Sequence, residues 1–318
     1  YHLSIAYQPW AYIFAFIQNR EPLEGLWSAM EMINLWRIPV LFMVSGMGVS
    51  FAMERRDWRE LLLDRSLRIL LPLAFGFFIV APTNLALASL HYHGRLAYVP
   101  TAGHLWFLFN IFVYVIVLLP LFVWIKARPQ AAPYRWVAAA MKTSFGPVLV
   151  AAPLVLEAIL VAPEHYTLYA GTWHGIWLGA ACFVVGFAVS SSGKGTWTIL
   201  TAARYVALAV AVGLYLLRQL RPLYQTAPHT LLALESSAWI VAVLGFAARY
   251  LNRSSQALSY LSTAVYPVYI VHLPIQYGWS TLILPLEIAP PLELPLMIVA
   301  VLASSVVVYE GLRRVRWL

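Results

Sequence analysis

Apolar stretches of about 20 residues, long enough to cross a bilayer as helices, recur along this chain of 318 residues. They fall near 32–53, 69–90, 105–125, 146–162, 173–190, 198–217, 230–247, 264–284 and 294–310. Hydrocarbon offers the backbone no hydrogen-bond partner, so a segment that enters it must satisfy its own N–H and C=O groups, as a helix does. Water is a poor solvent for such a chain. Its residues are 62% hydrophobic and 11% charged, with mean hydropathy +0.75, whereas soluble domains are about half apolar and about a quarter charged. The expected fold is all-α: a polytopic transmembrane helical bundle of about nine full spans. Residues 1–17 are also apolar and read as the end of a truncated first helix. With no long linker, low-complexity tract or internal repeat, 1–318 reads as a single transmembrane domain whose N-terminal helix is incomplete.

The net charge of +8 does not point to nucleic acid, because the basic residues gather in short loops. One set of alternate loops carries fifteen of them, from Arg55, Arg56, Arg59, Arg65 and Arg68 through to Arg313, Arg314 and Arg316. The other set carries Arg20, Arg95, Arg218 and Arg221. Such a bias places the richer side, and the C-terminus, in the cytoplasm. Trp27, Trp36, Trp106, Trp173 and Trp279 lie at or near the opposite ends, as amphipathic rings do at a membrane interface. The lone Cys182 excludes an internal disulfide and reads as a packing residue.

Ionisable groups within spans are rare and tend to be functional. Arg37 lies below the outer end of its span and either snorkels to the headgroups or lines a cavity. Glu157 and His272 are the hardest to place in lipid. They are expected to face a polar cavity, or to pair with each other or with Arg37. His104, His174 and Glu235 mark outer ends and read as interfacial, and His91 and His93 as a solvated loop pair. Arg65 and Arg68 are three residues apart on one helix face. They read either as a positive-inside anchor or as a grip for phosphate oxygens, which the guanidinium fork matches. Ser45 and Gly46 read as a small-residue helix contact. No GxSxG elbow, P-loop or HExxH motif is present, and no metal site is expected.

Four segments, taken in order, resemble the acyltransferase-3 family of membrane acyltransferases. They are Pro39-Val40-Leu41-Phe42-Met43-Val44-Ser45-Gly46, Arg65-Ser66-Leu67-Arg68 with Pro72, Gly103-His104-Leu105-Trp106-Phe107-Leu108, and Tyr266 to Pro274 with Tyr269, His272 and Pro274. His2-Leu3-Ser4 is similar to the early His-Ile-Ser of the periplasmic-glucan succinyltransferase branch. The resemblance implies ten helices and a bacterial inner membrane. It implies a cytoplasmic acyl-CoA as donor co-substrate, with no bound cofactor, and a hydroxyl of an extracytoplasmic glycan or glycolipid as acceptor.

Residue by residue, the resemblance makes His2 the base and Arg65 and Arg68 the donor-binding pair. His104 shares the catalytic role, because the carboxylate that many members carry after the Trp is replaced here by Asn110 and Ile111. Arg37, Trp106, Glu157 and His272 are then the expected acceptor-binding or cavity residues. The expected partners are acyl-CoA, the acceptor and the lipid bilayer, with homo-oligomerisation left open. The alternative is a transporter or flippase for a lipid-linked or small anionic solute, whose inverted repeats and matched broken helices are not evident in the sequence.

Overall fold

The computed structural model describes residues 1–220 and 226–314. Arg221 and Arg316, assigned to loops from the sequence, lie outside these. Among the described residues all regular structure is helical: α1 His2–Ile5, α2 Leu26–Arg55, α3 Trp58–His93, α4 Gly103–Ala127, α5 Ala132–Ala140, α6 Gly146–Val161, α7 Trp173–Ser191, α8 Lys194–Gln219, α9 His229–Tyr250, α10 Gln256–Leu286 and α11 Pro290–Arg314. Eight of these are long and apolar enough to span a membrane, and α6 is a shorter apolar helix. Together they match the nine expected runs, and the chain is an integral membrane protein.

Helix ends depart from the hydropathy boundaries where capping chemistry takes over. α3 begins well before residue 69. The Asp57 carboxylate accepts from the backbone N–H of Arg59 and Glu60 at 2.8 and 2.9 Å, and the Glu60 carboxylate accepts from Asp57 N at 3.2 Å. This reciprocal cap turns Arg59, Arg65 and Arg68, expected in or near a loop, into helical residues. α3 also holds two wide π-turns, Ser66–Leu70 and Gly76–Val80, shortly before Pro72 and Pro82. Proline lacks an N–H and its ring crowds the carbonyl four residues back, so the turn opens.

Residues 1–17 are not a continuous helix end. α1 closes at Ile5, Pro9 disfavours helix at Gln8, and Ala11–Phe14 forms a single 3-10 turn. The segment then folds back on itself: Asn19 N donates to Ala6 O at 2.7 Å and Leu23 N to Tyr7 O at 2.8 Å.

The chain forms two compact units: Tyr1–Glu31, Ile69–Trp106 and Ser254–Leu318 in the first, Met32–Arg68 and Phe107–Arg253 in the second. The first packs Ile5, Phe16 and Ile17 against Ala88 of α3 and Leu273 and Tyr277 of α10. In the second, α2 and α7 cross at a reciprocal pair of glycines. A Cβ on Gly46 would collide with the Phe183 carbonyl, and one on Gly186 with the Met43 carbonyl. This is the small-residue contact expected from Ser45-Gly46.

Two charged residues of the second unit differ from expectation. Arg218, assigned to an outer loop, lies in the last turn of α8, and Glu235, read as interfacial, is 0% exposed on α9. Arg218 Nε and Nη2 donate to the two Glu235 carboxylate oxygens at 2.9 and 3.3 Å. A bidentate partner is what lets both charges leave water.

Gly46→Val is expected to lower stability by about 1–3 kcal/mol, because only backbone lies opposite. Gly213→Val, where a Cβ meets nothing within 4 Å, should change melting little by comparison. Thermal unfolding of the detergent-solubilised variants measures both.

Candidate active site

The first unit gathers three histidines from three distant parts of the chain. His2 Nδ1 lies 2.9 Å from His272 Nε2, and the two rings stack with centroids 5.1 Å apart and planes 9° apart. His104 stands edge-on to both, with centroids 5.2 Å from His272 and 6.3 Å from His2.

Each ring is held by backbone that a proline has freed or a side chain has capped. On α10, Pro274 has no N–H to give the Ile270 carbonyl, its helical acceptor. His104 Nε2 takes that carbonyl at 3.3 Å and the Tyr269 carbonyl at 3.2 Å. The Tyr269 hydroxyl returns a bond to the His104 carbonyl at 2.7 Å. On α3, Pro82 likewise frees the Phe78 carbonyl, to which the Tyr98 hydroxyl donates at 2.9 Å, while Thr101 N donates to Phe77 O at 3.2 Å. The loop carrying His104 is thereby tied to α3. Gly76 leaves room there for the Leu105 side chain, and Gly103, at φ +49°, lies against Ala81.

His2 is set by the folded-back segment. Gln276 Nε2 donates to the His2 carbonyl at 3.1 Å, and the Tyr277 hydroxyl to the Ala15 carbonyl at 3.0 Å. Tyr92 lies at the end of α3, in a stretch expected to be merely solvated. Its hydroxyl donates to Phe16 O at 2.7 Å and accepts from Gln18 N at 2.9 Å. Glu293, in the first turn of α11 and 1% exposed, receives both the Tyr7 hydroxyl at 2.7 Å and Asn19 Nδ2 at 2.6 Å on one oxygen. Sequence reasoning passed over Glu293 because a carboxylate near a helix N-terminus looks like an ordinary first-turn acid.

Proton positions follow from the partners. A carbonyl only accepts, so His272 Nδ1, 2.7 Å from Tyr269 O, carries a hydrogen. In neutral His272 the Nε2 is then a bare acceptor, and His2 Nδ1 must be the donor to it. In neutral His2 the Nε2 is then the unprotonated nitrogen. By the same reasoning His104 Nε2 carries the hydrogen, and its Nδ1, buried with no hydrogen-bond partner, is a bare acceptor. Each neutral ring of the cluster thus keeps one unprotonated nitrogen, that of His272 being turned to His2.

The remaining candidates have these surroundings. Trp106 is half-buried and opens the α-helical part of α4, two residues beyond His104. In the second unit, half-buried Arg37 donates from Nη2 to Asn34 Oδ1 at 3.0 Å. Arg65 Nη2 donates to Gly48 O at 3.1 Å, and exposed Arg68 pairs through Nε with Asp64 at 2.8 Å. Asp64 also pairs with Arg56 at 2.9 Å, so one carboxylate pairs with two guanidinium groups while Arg65 lies next to it in sequence.

Glu157 pairs neither with His272 nor with Arg37. His174 Nδ1 lies 2.9 and 3.1 Å from its two oxygens, and His174 Nε2 donates to the Tyr166 carbonyl at 2.8 Å. His174, expected at the interface, is buried with it. A specific partner, rather than an open cavity, makes this carboxylate tolerable. Burial pushes the adjacent Tyr166 hydroxyl well above the ordinary tyrosine range, so it stays neutral.

A cluster of imidazoles held by backbone carbonyls among the helices of a membrane protein is a candidate site for proton transfer. Residues 1–310 match the family described as "Acyltransferase domain", and this chain belongs to that acyltransferase-3 family. No curated protein and no solved structure matches it.

Glu157→Ala leaves His174 as an uncompensated buried group and is expected to cost about 3–5 kcal/mol. Glu310→Ala, which removes a partly exposed pair with Arg313 and a hydrogen bond from the Tyr260 hydroxyl, should cost less, about 1–2 kcal/mol; thermal melting compares the two. Pro274→Ala returns an N–H to the Ile270 carbonyl. It should loosen His104, read as faster carbethoxylation of His104 by peptide-resolved mass spectrometry, without loss of melting temperature.

Proposed function

We propose that this chain moves an acyl group, acetyl or succinyl, from acyl-CoA to a hydroxyl of an extracytoplasmic glycan or glycolipid, forming an ester. The observation that carries this is the relay Tyr269 carbonyl, His272, His2, which turns Nδ1 of His2 toward His272 and makes Nε2 the basic nitrogen of its neutral ring.

A hydroxyl is a weak nucleophile until its proton is removed. Imidazole suits this, being mostly neutral at pH 7 with an unperturbed pKa of about 6.5. His2 Nε2 takes the acceptor's proton as the oxygen bonds to the thioester carbonyl carbon. The carbon–sulfur bond then breaks, and the proton on His2 passes to the departing sulfur, giving the ester and free CoA thiol. During this passage the His2 Nδ1–H bond to His272 keeps the imidazolium oriented, as a third group does in triad-type sites. His104 Nδ1, an acceptor in the neutral ring, is suited to receiving a hydrogen bond from the acceptor sugar rather than to donating to an oxyanion. Arg37 and Trp106 are the further acceptor-side candidates.

On the donor side, Arg56, Arg65 and Arg68 outnumber Asp64, and the surplus positive charge suits the phosphates of CoA. The early His2-Leu3-Ser4 favours succinyl among the acyl groups. Glu157 is left out of the acceptor site, since both its oxygens face His174.

The experiment is release of CoA thiol from acyl-CoA by the reconstituted protein with a glycan acceptor. His2→Ala is expected to lower kcat by roughly 10²–10⁴, with melting little changed. Arg65→Ala with Arg68→Ala should raise the KM for acyl-CoA roughly tenfold or more, since hydrogen bonds to charged groups contribute about 1.5–3 kcal/mol and each 1.4 kcal/mol is tenfold. An intact thioester, or undiminished turnover by His2→Ala, would refute the assignment.

A further inference from the structure

Arg204 takes no part in the site above, yet it is a cation placed within a span. Its guanidinium lies 4.3 Å from the Tyr205 ring centroid and 5.9 Å from that of Phe246. Nη1 donates to the Thr201 carbonyl on its own helix, and Nε is buried with no hydrogen-bond partner. Among the described residues no carboxylate pairs with it. Phe246 is four residues from the end of α9, so the guanidinium sits within about two turns of that end. Arg249 lies 6.0 Å from the Tyr250 ring in the same turn, and Arg253 and Lys194 lie at this end too. The aromatic rings Phe246 and Tyr250 stack, and Tyr205 meets Phe246 edge-on. The result is an aromatic collar flanked by two guanidinium groups.

From this collar an apolar groove runs along α8 and α9 toward the bilayer centre. Leu208, Trp239, Ala242, Val243, Phe246 and Tyr250 line it, and it encloses about 390 Å³. Its lining spans Trp239 to Leu251, about 18 Å of helix at 1.5 Å per residue. One leaflet is about 15 Å of hydrocarbon, half of the roughly 30 Å core. The groove thus has the reach of a single acyl chain from headgroup level to the midplane. α8 and α9 come close at Gly245, where a Cβ would meet the Leu200 carbonyl and Arg204 Cβ.

We propose that this groove holds one acyl chain of an anionic phospholipid from the leaflet on the basic side, its phosphate bound by Arg204 and Arg249. A guanidinium in a span without a carboxylate needs a counter-anion, and a lipid phosphate is the anion available at that depth. Net charge selects among lipids: the ammonium of a zwitterionic headgroup would sit among Arg204, Arg249 and Arg253, whereas an uncharged glycerol headgroup meets no such repulsion. The inference does not depend on acyl transfer.

The full chain is reconstituted in a phosphatidylcholine bilayer, and brominated phosphatidylglycerol or brominated phosphatidylcholine is titrated in. Quenching of Trp239 fluorescence is taken as the difference from a Trp239→Phe variant. Phosphatidylglycerol is expected to quench at a several-fold lower mole fraction than phosphatidylcholine. Arg204→Gln with Arg249→Gln should erase that difference while both lipids still quench at high fraction, and Arg204→Lys should largely keep it. Equal quenching by the two lipids in the unsubstituted protein overturns the proposal without recourse to any variant. A phosphatidylglycerol preference that survives the double substitution overturns the role of the two arginines.

Discussion

A backbone carbonyl without a partner is costly in lipid, and this constraint shapes the catalytic candidate more than any side-chain preference does. Each proline inside a span frees a carbonyl one turn back. Pro82 frees Phe78, and the Tyr98 hydroxyl takes it up. Pro274 frees Ile270, and His104 takes that one, sharing its Nε2–H with Tyr269. The repair of the second break is what orients a site histidine, and the repair of the first ties down the loop that carries it. The spacing of Tyr269, His272 and Pro274 acquires a mechanical meaning. Tyr269 supplies a carbonyl to His272 one turn on, and Pro274 leaves the next carbonyl open for a ring from another helix.

The spans were legible because the apolar runs are long and the solvent is uniform. Their ends were not, since a cap such as Asp57 with Glu60 works through hydrogen bonds that hydropathy does not weigh. The short helix Ala132–Ala140 was missed for a related reason: it is far too short to register as a span. His2, His104 and His272 could each be singled out as polar groups near or within apolar runs. Their convergence could not, because residues so far apart in sequence meet only through tertiary packing that carries no periodic signal. The bonding of His104 to freed carbonyls also fixes which of its nitrogens is open, and the sequence cannot report a tautomer.

The buried charges follow one rule that sequence reading half anticipated. Ionisable groups inside spans are expected to pair or face a cavity, and the second unit forms two such pairs, Glu157 with His174 and Arg218 with Glu235. In both cases the partner lies on another helix. Three of these four groups read as peripheral in the sequence, His174 and Glu235 as interfacial and Arg218 as a loop residue. An outer-end position says how close a group is to water along the membrane normal. It does not say whether the side chain turns inward, and here a charged partner inside the bundle decides the matter.

The histidine relay ends on a carbonyl where many such relays end on a carboxylate, and the membrane setting gives this a consequence. A carboxylate behind the base would carry a full negative charge at rest, and burying it costs several kcal/mol unless a cation neutralises it. A carbonyl carries none, so the resting cluster of His2, His272 and Tyr269 is neutral and compatible with a span. In the proposed transfer the same choice weakens support for the imidazolium that would form when His2 accepts a proton, since a carbonyl offers it a dipole in place of a charge. A base held this way favours giving its proton up quickly, and a thiolate leaving in the same event is a suitable recipient. Carbonyl-backed histidine thus fits a transfer in which deprotonation of the hydroxyl and departure of sulfur are closely coupled, and it fits poorly with any chemistry that must store a charged imidazolium between steps.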